Sequence, residues 1–224
     1  MTVLAFDCAV SGLGVAVVRD GMPLARLSEG GRDQAARLLP AIEAVLADAA
    51  VDRRALTLIA VTIGPGSFTG VRVGLAAARG LAVGLAVPLA GIVTTAVLLA
   101  QPPSRDRLVI AAIDSRLGDW FCAIGEGDAA PFATSARDLA VRIAGRPCFV
   151  VGIGAKALAD DLLAAGIDTI VEEAAPDPVT LARLAGDAGI DAWRTRNAEE
   201  GLPRPLYLRG VNITLPDGAR RTVD

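Results

Sequence analysis

The chain has 224 residues, with 22 basic and 25 acidic side chains, a net charge of −3 and no histidine. Without a basic block it is unlike proteins that bind nucleic acid by themselves, because these neutralise phosphates with clustered Lys and Arg. The lack of histidine excludes a histidine general base, a Ser-His-Asp triad and a histidine metal site. The three cysteines are far apart and contain no CxxC pair, which fits a reducing cytoplasm better than a disulfide framework.

Apolar runs and turn signals predict a mixed α/β chain from the first residues onward. The hairpin signal Asp20-Gly21 joins the second and third strands. In chain order the predicted elements are strands at 3–7, 14–18 and 23–27, a helix at 33–49, a strand at 56–63, a helix at 70–85, a strand at 89–93 and a helix at 94–100.

The pattern then restarts, with an apolar strand at 108–115 that ends in Asp114 as the first strand ends in Asp7. A strand and turn at 120–127, a helix at 136–143, a strand at 148–154 and a helix at 155–165 follow. The repetition predicts two related β-β-β-α-β-α halves, residues 1–101 and 102–209. A single helix is predicted over 178–198, and one option is that it packs against the first half. Residues 204–209 are predicted to be extended, and 210–224 to form a loose polar tail.

The chain is organised around the stretch GPGSFTGVR at residues 64–72. It predicts a tight loop after a buried strand and a helix N-terminus that Ser67 or Thr69 can cap. Such a terminus can hold an anion, but this one lacks the Lys-Ser/Thr ending of a phosphate-binding P-loop. The helix is apolar on every side except for Arg72 and Arg79, which favours a core or interface role. Two pairs of glycines, each one turn apart, leave flat patches where another helix can approach: Gly70 with Gly74, and Gly80 with Gly84.

Residues 80–104 contain no charge, and their number would allow a membrane-spanning helix. Pro88 and Gly91 interrupt this segment, which instead predicts a helix end, a short strand and a second helix. We therefore expect no membrane span here.

A duplicated unit with an Asp at the end of each first strand resembles the actin, Hsp70 and sugar-kinase (ASKHA) superfamily. Four motifs resemble one family more closely, the TsaB (YeaZ) family. They are AFDCA at 5–9, GPGSFTGVR at 64–72, AIDSR at 112–116 and PLYLR at 205–209. The resemblance runs from the first strand to Arg209, and the second of these motifs is the most specific.

The resemblance implies a cytoplasmic protein needed for threonylcarbamoyladenosine at position 37 of bacterial tRNA. TsaB-like proteins pair with TsaD, the catalytic paralogue that transfers threonylcarbamoyl to adenine, and the ATPase TsaE joins them. TsaD-like proteins hold a metal through a His-x-x-x-His motif, which a chain without histidine cannot build. The resemblance therefore implies a non-catalytic subunit without cofactor or metal, a homodimer when alone, which meets tRNA only through the complex.

The family pairs through a helical face of the first half, which implies an interface on the helices near 33–46 and 70–85. The predicted interface residues are Leu38, Ile42, Val45, Gly70, Val71, Arg72, Gly74, Leu75, Ala78 and Arg79. Relatives often have a histidine near the start of the first of these helices, where this chain has Arg32-Asp33-Gln34.

Asp7 and Asp114 have two interpretations. They can be remnants of a nucleotide cleft, or each can bond backbone N–H groups of its own turn, which we favour. The alternative function is an ATP-dependent kinase or ATPase with its own cleft. It would need a catalytic base and a second phosphate-binding loop, for which Gly152-Ile153-Gly154 is a weak candidate.

Overall fold

Two five-stranded sheets organise the computed structural model, which describes residues 1–10, 12–31, 33–102 and 106–209 and the backbone of 211–214 and 220–223. Pro103, near the predicted boundary between the halves, and Arg32 lie outside the described residues, as do residue 210, residues 215–219 and residue 224 of the tail.

The first half has the strand order β3-β2-β1-β4-β5, with an antiparallel meander at one side and parallel strands at the other. The predicted elements are present, with ends shifted by up to two residues. They are β1 (Thr2–Asp7), β2 (Leu13–Arg19), β3 (Met22–Glu29), α1 (Gln34–Asp48), β4 (Leu58–Thr62), α2 (Phe68–Leu85), β5 (Leu89–Ile92) and α3 (Thr94–Ala100).

The second half repeats this arrangement in the order β8-β7-β6-β9-β10. Its elements are β6 (Leu108–Asp114), β7 (Trp120–Ile124), β8 (Phe132–Thr134), α4 (Ala136–Ile143), β9 (Cys148–Ile153), α5 (Ala155–Ala164), β10 (Thr169–Glu173), α6 (Pro178–Asp187) and α7 (Ile190–Glu200). Because both sheets follow one path, the predicted duplication and the actin-like fold class are confirmed.

Four features differ from the sequence prediction. Strand β8 had not been located, although the repeat implied a third strand before α4. Strand β10 was not predicted, because it is a short edge strand with exposed, partly charged residues. The single C-terminal helix was wrong: Gly189, at φ 81°, breaks it into α6 and α7. The tail is not loose throughout, since β11 (Val211–Thr214) pairs with β12 (Arg220–Val223) in antiparallel fashion.

The central strands of the first sheet are covered on both faces, and β1, β2 and β4 are therefore buried at nearly every position. Leu4 and Phe6 of β1 pack with α1 and α2, whereas Val3 and Ala5 face the opposite side. That side is covered by α6 and α7, which return to the first half with, among others, Leu181, Ala182, Ala185 and Trp193. Helix α3 lies between the halves, because Leu98 and Leu99 pack with β6 and β9 of the second sheet.

Helix α2 is the one helix in the described part of the chain that is long and apolar enough to cross a membrane. Length and composition alone are weak support for a span, and Val71, Leu75 and Ala78 of this helix are buried against the first sheet. The uncharged segment at residues 80–104 contains, as predicted, the end of α2, then β5 and α3.

Candidate functional site

The two faces of α2 have different surroundings. Its inner face packs on β4, and the side chains spaced 3–4 residues apart along it are buried. Most of the predicted interface residues lie on this face or on the inner face of α1: Leu38, Ile42, Val45, Gly70, Val71, Gly74, Leu75 and Ala78. They are core residues of the first half, because regular apolar spacing marks the side of a helix that faces its own sheet. Of the predicted set, only Arg72 and Arg79 reach the surface.

The glycines of α2 divide in the same way. A Cβ atom at Gly70 would lie 1.9 Å from the Cys8 carbonyl oxygen, and one at Gly74 would lie 3.4 Å from Cγ2 of Val61. These two glycines let the helix approach its own sheet. Gly80 and Gly84, by contrast, are exposed, and a Cβ at either would meet no atom within 4 Å.

The outer face of α2 carries a continuous exposed row at four-residue spacing, which we call the outer stripe: Phe68, Arg72, Ala76, Gly80 and Gly84. Val83, 72% exposed, borders it, and Leu39 of the neighbouring α1 is 54% exposed. The stripe is therefore aromatic and cationic at its N-terminal end and flat and apolar beyond. Sequence reasoning missed the stripe as a unit, although counting in steps of four from Arg72 finds it.

The glycine loop before α2 is fixed on the turn that follows β1. Ser67 donates its backbone N–H to the Ala9 carbonyl, and its side chain accepts from Gly70 N–H at 3.2 Å, so Ser67 is the helix cap. Gly66 has a φ of 158°, and a Cβ there would lie 2.0 Å from the Ala9 oxygen. Only glycine fits at this position, which explains why the loop motif has a glycine there.

Residues 202–209, which we call the strap, cross the start of α2 and join two of the sequence motifs. Leu206 N–H donates to the Ile63 carbonyl at 2.8 Å, and Arg79 Nε donates to the Pro203 carbonyl at 3.2 Å. Arg209 at the end of the strap pairs with Asp119 of the second half. The strap therefore bonds to both halves, and it places Tyr207 next to the outer stripe.

Asp7 and Asp114 both make the turn bonds that the sequence analysis favoured. Asp7 accepts from Ala9 N–H at 3.0 Å, and Asp114 accepts from Arg116 N–H at 2.7 Å. Asp7 is buried and also accepts from the Thr62 hydroxyl. Burial raises the pKa of Asp7 from 3.8 to about 6, although its two hydrogen bonds oppose the shift.

The two aspartates line different cavities. Asp114 lines an open cleft between the halves with a volume of about 630 Å³, together with Ser67, Thr69 and Arg116. Asp7 lines a separate cavity of about 200 Å³ beside Gly30. The described lining residues of the cleft thus include one cation and one carboxylate.

The weak second glycine loop leads into α5, and its helix N-terminus is already bonded within the chain. The carboxylate of Glu173, at the end of β10, accepts from Gly154 N–H at 3.1 Å and from Lys156 N–H at 2.8 Å. These are the free donors that an anion would use at a helix start. Sequence reasoning missed Glu173 because the strand that presents it was not predicted.

The cysteines offer no nucleophile in this fold. Burial, and then the nearby Asp7 charge, raise the pKa of Cys8 to about 12, and burial raises that of Cys122 to about 12. A thiol with so high a pKa is not ionised near neutral pH. Within residues 1–209, apart from the gaps stated above, no group of three His, Cys, Asp or Glu side chains is placed to hold a metal ion.

Comparison with known proteins places this geometry in a family. The family model described as TsaD, tRNA N6-adenosine threonylcarbamoyltransferase, matches residues 28–192. The Escherichia coli tRNA threonylcarbamoyladenosine biosynthesis protein TsaB is 36% identical over 126 residues, 55% of this chain and 54% of its own length. The matched segment thus spans about half of that relative.

Two further relatives match over more of their length. An uncharacterized Mycobacterium tuberculosis protein is 34% identical over 155 residues, 65% of this chain and 72% of its own. The solved structure of YeaZ from Pseudomonas aeruginosa is 27% identical with a TM-score of 0.70, and the match covers 92% of this chain and 99% of that one. The chain therefore belongs to the TsaB (YeaZ) family, within the TsaD-like proteins whose family model it matches.

Proposed function

We propose that the chain is a non-catalytic subunit of tRNA threonylcarbamoyladenosine biosynthesis. It binds a catalytic TsaD-like subunit through the outer stripe of α2 and the adjoining part of α1. A TsaE-like ATPase joins this pair, and tRNA is contacted through the complex, in the cytoplasm. The naming of its relatives as threonylcarbamoyladenosine biosynthesis proteins supports the pathway.

The outer stripe is the single observation that carries the pairing. Ala76, Gly80 and Gly84 leave room for a second helix to approach the α2 backbone, and exposed Phe68 and Val83 add apolar area on the same helix. Leu39 of the neighbouring α1 is exposed as well. Contiguous apolar surface of this kind is typical of protein interfaces. Without its partner, the protein should cover the same surface by forming a homodimer.

Two observations support a non-catalytic role. The chain has no histidine with which to build the metal site or a histidine base. The donors at the start of α5 are bonded by Glu173, so a phosphate would have to displace a carboxylate of its own charge. The kinase or ATPase alternative needs that second phosphate site.

The pairing is tested by Gly80→Leu. A leucine here projects from the outer stripe into the space that a partner helix would occupy, so we expect binding of the TsaD-like subunit from the same cell to weaken about tenfold or more. The chain itself should remain folded, because Gly80 is exposed, a Cβ atom there would meet no atom within 4 Å, and leucine favours helix more than glycine does. Light scattering after size-exclusion chromatography and calorimetric titration measure the effect.

Ala198→Leu is the matched control, since it places the same leucine side chain at an exposed position of α7. We expect this variant to pair like the unaltered protein. Normal pairing by Gly80→Leu, or an unaltered protein that stays monomeric and ignores the TsaD-like subunit, would refute the proposed interface.

The isolated protein is expected to bind ATP weakly or not at all, even with Mg²⁺ present. The bonded α5 N-terminus leaves the cleft with Arg116 and the start of α2 as its only anion-binding features among the described lining residues. Calorimetric titration with Mg-ATP measures this directly. Micromolar affinity would favour the alternative, an ATP-dependent enzyme.

A further inference from the structure

The side chain of Arg72 is held in one orientation by two aromatic rings. Its guanidinium carbon lies 3.5 Å from the centroid of the Phe68 ring, and Nε donates to the Tyr207 hydroxyl at 2.8 Å. The two ring centroids are themselves 5.5 Å apart, with an angle of 30° between the planes. The strap thus completes a cluster that begins on the outer stripe.

Arg72 is nevertheless exposed, and it forms no salt bridge with any residue that the structure describes. No carboxylate of the described residues lies within 4.0 Å of it, whereas other arginines, such as Arg37, Arg107 and Arg146, have one. Arg79 lies two helical turns after Arg72. Its guanidinium donates two hydrogen bonds to the Pro203 carbonyl of the same chain. Of the two arginines predicted to meet a partner, only Arg72 keeps its terminal nitrogens available.

This arrangement suits one kind of ligand. With Nε bonded and one face stacked, the two terminal nitrogens still present their N–H groups in a fixed plane, the geometry that binds a carboxylate in bidentate fashion. Because the rings already hold the side chain, little rotamer freedom is lost on binding. Arg and Tyr in contact with apolar surroundings are also common among the residues that contribute most to interfaces.

Charge complementarity identifies the occupant. Arg72 is the only charged residue of the outer stripe, whose other members are Phe68, Ala76, Gly80 and Gly84. Burying this cation without an anion would cost more than the surrounding apolar contacts return. We propose that Arg72 is a preformed receptor for an Asp or Glu side chain of the TsaD-like subunit. This inference rests on the proposed function.

The experiment measures the affinity of the unaltered protein and of three variants for the TsaD-like subunit from the same cell. Arg72→Met, which keeps an unbranched apolar side chain, should weaken binding about 10- to 100-fold, as for a buried charge pair that loses one member. Arg72→Lys retains the charge but not the planar fork, and should recover only part of the loss. Tyr207→Phe removes only the hydroxyl and should weaken binding about fivefold. Arg137→Met on exposed α4 is the control and should bind normally.

Charge reversal then identifies the partner residue. Arg72→Glu should abolish binding, and changing exposed acidic residues of the TsaD-like subunit to Arg one at a time should restore it at one position only. Restoration at one acid establishes the pair, and restoration at none contradicts it. If Arg72→Met binds as tightly as the unaltered protein while Gly80→Leu does not bind, the receptor inference is wrong and the interface stands. If the unaltered protein does not bind the subunit, both fail.

Discussion

Gly70→Ala is expected to destabilise the protein by about 3 kcal/mol, whereas the same change at Gly80 should stabilise it by about 0.5–1 kcal/mol. The two glycines lie in one helix, but their surroundings are opposite. A Cβ at Gly70 would lie 1.9 Å from the Cys8 carbonyl oxygen, a backbone atom of the turn after β1 that cannot rotate away. Helix α2 would have to move off the sheet to admit one methyl group.

At Gly80 the added methyl group meets no atom within 4 Å. Alanine also has a higher helix propensity than the glycine that it replaces. Urea unfolding followed by circular dichroism measures both variants, and the difference between them removes effects common to any Gly→Ala change in α2. Equal stabilities of the two variants would contradict the close packing of α2 on the turn.

The second large effect concerns Asp7 and pH. Because the pKa of this carboxyl rises to about 6 in the folded protein from its ordinary value of 3.8, the native state holds the proton more tightly than the unfolded state. Between these two values the free energy of unfolding therefore falls as pH rises. The loss from this group is on the order of 3 kcal/mol and is complete above about pH 7.

Asp7→Asn should remove this slope, because an amide does not titrate while its oxygen can still accept from Ala9 N–H and the Thr62 hydroxyl. The quantity to measure is the unfolding free energy of each protein at intervals from pH 4 to 7. Asp114→Asn controls for the turn bond itself, since Asp114 makes the same bond on an exposed residue. A free energy difference between Asp7→Asn and the unaltered protein that stays constant across this range would contradict a buried, protonatable Asp7.

The duplication of the fold could be predicted because its signals are local. An apolar run that ends in Asp plus a small residue, then a hairpin turn, then an amphipathic helix, each depends on residues near one another in the chain. The same locality explains the failures. Strand β10 has no apolar run of its own and exists because β9 offers it backbone partners, as the pairing of Thr169 with Cys148 shows. The C-terminal helix breaks at Gly189, whereas Gly186 lies within α6, and the sequence alone did not show that either glycine would end the helix.

The candidate site shows the limit more sharply. The sequence identified α2 as a helix that is apolar on nearly every side. Its two arginines and its two glycine pairs were the features that needed an explanation. It could not distinguish Gly70 and Gly74 from Gly80 and Gly84, because the spacing within each pair is identical. The close approach of Gly70 and Gly74 to Cys8, in the turn after β1, distinguishes them from Gly80 and Gly84, and Cys8 lies more than sixty positions earlier in the chain.

By itself, then, the sequence determined the fold class, the family motifs and the absence of histidine chemistry, since these depend on residue identity and local order. Only the tertiary structure decided which face of α2 is core and which is surface, that Arg79 bonds the strap while Arg72 stays available, and that Glu173 occupies the second helix N-terminus. The reason is physical: burial and counterions depend on what the rest of the chain places around a residue, and Tyr207 reaches Arg72 across 135 positions of sequence.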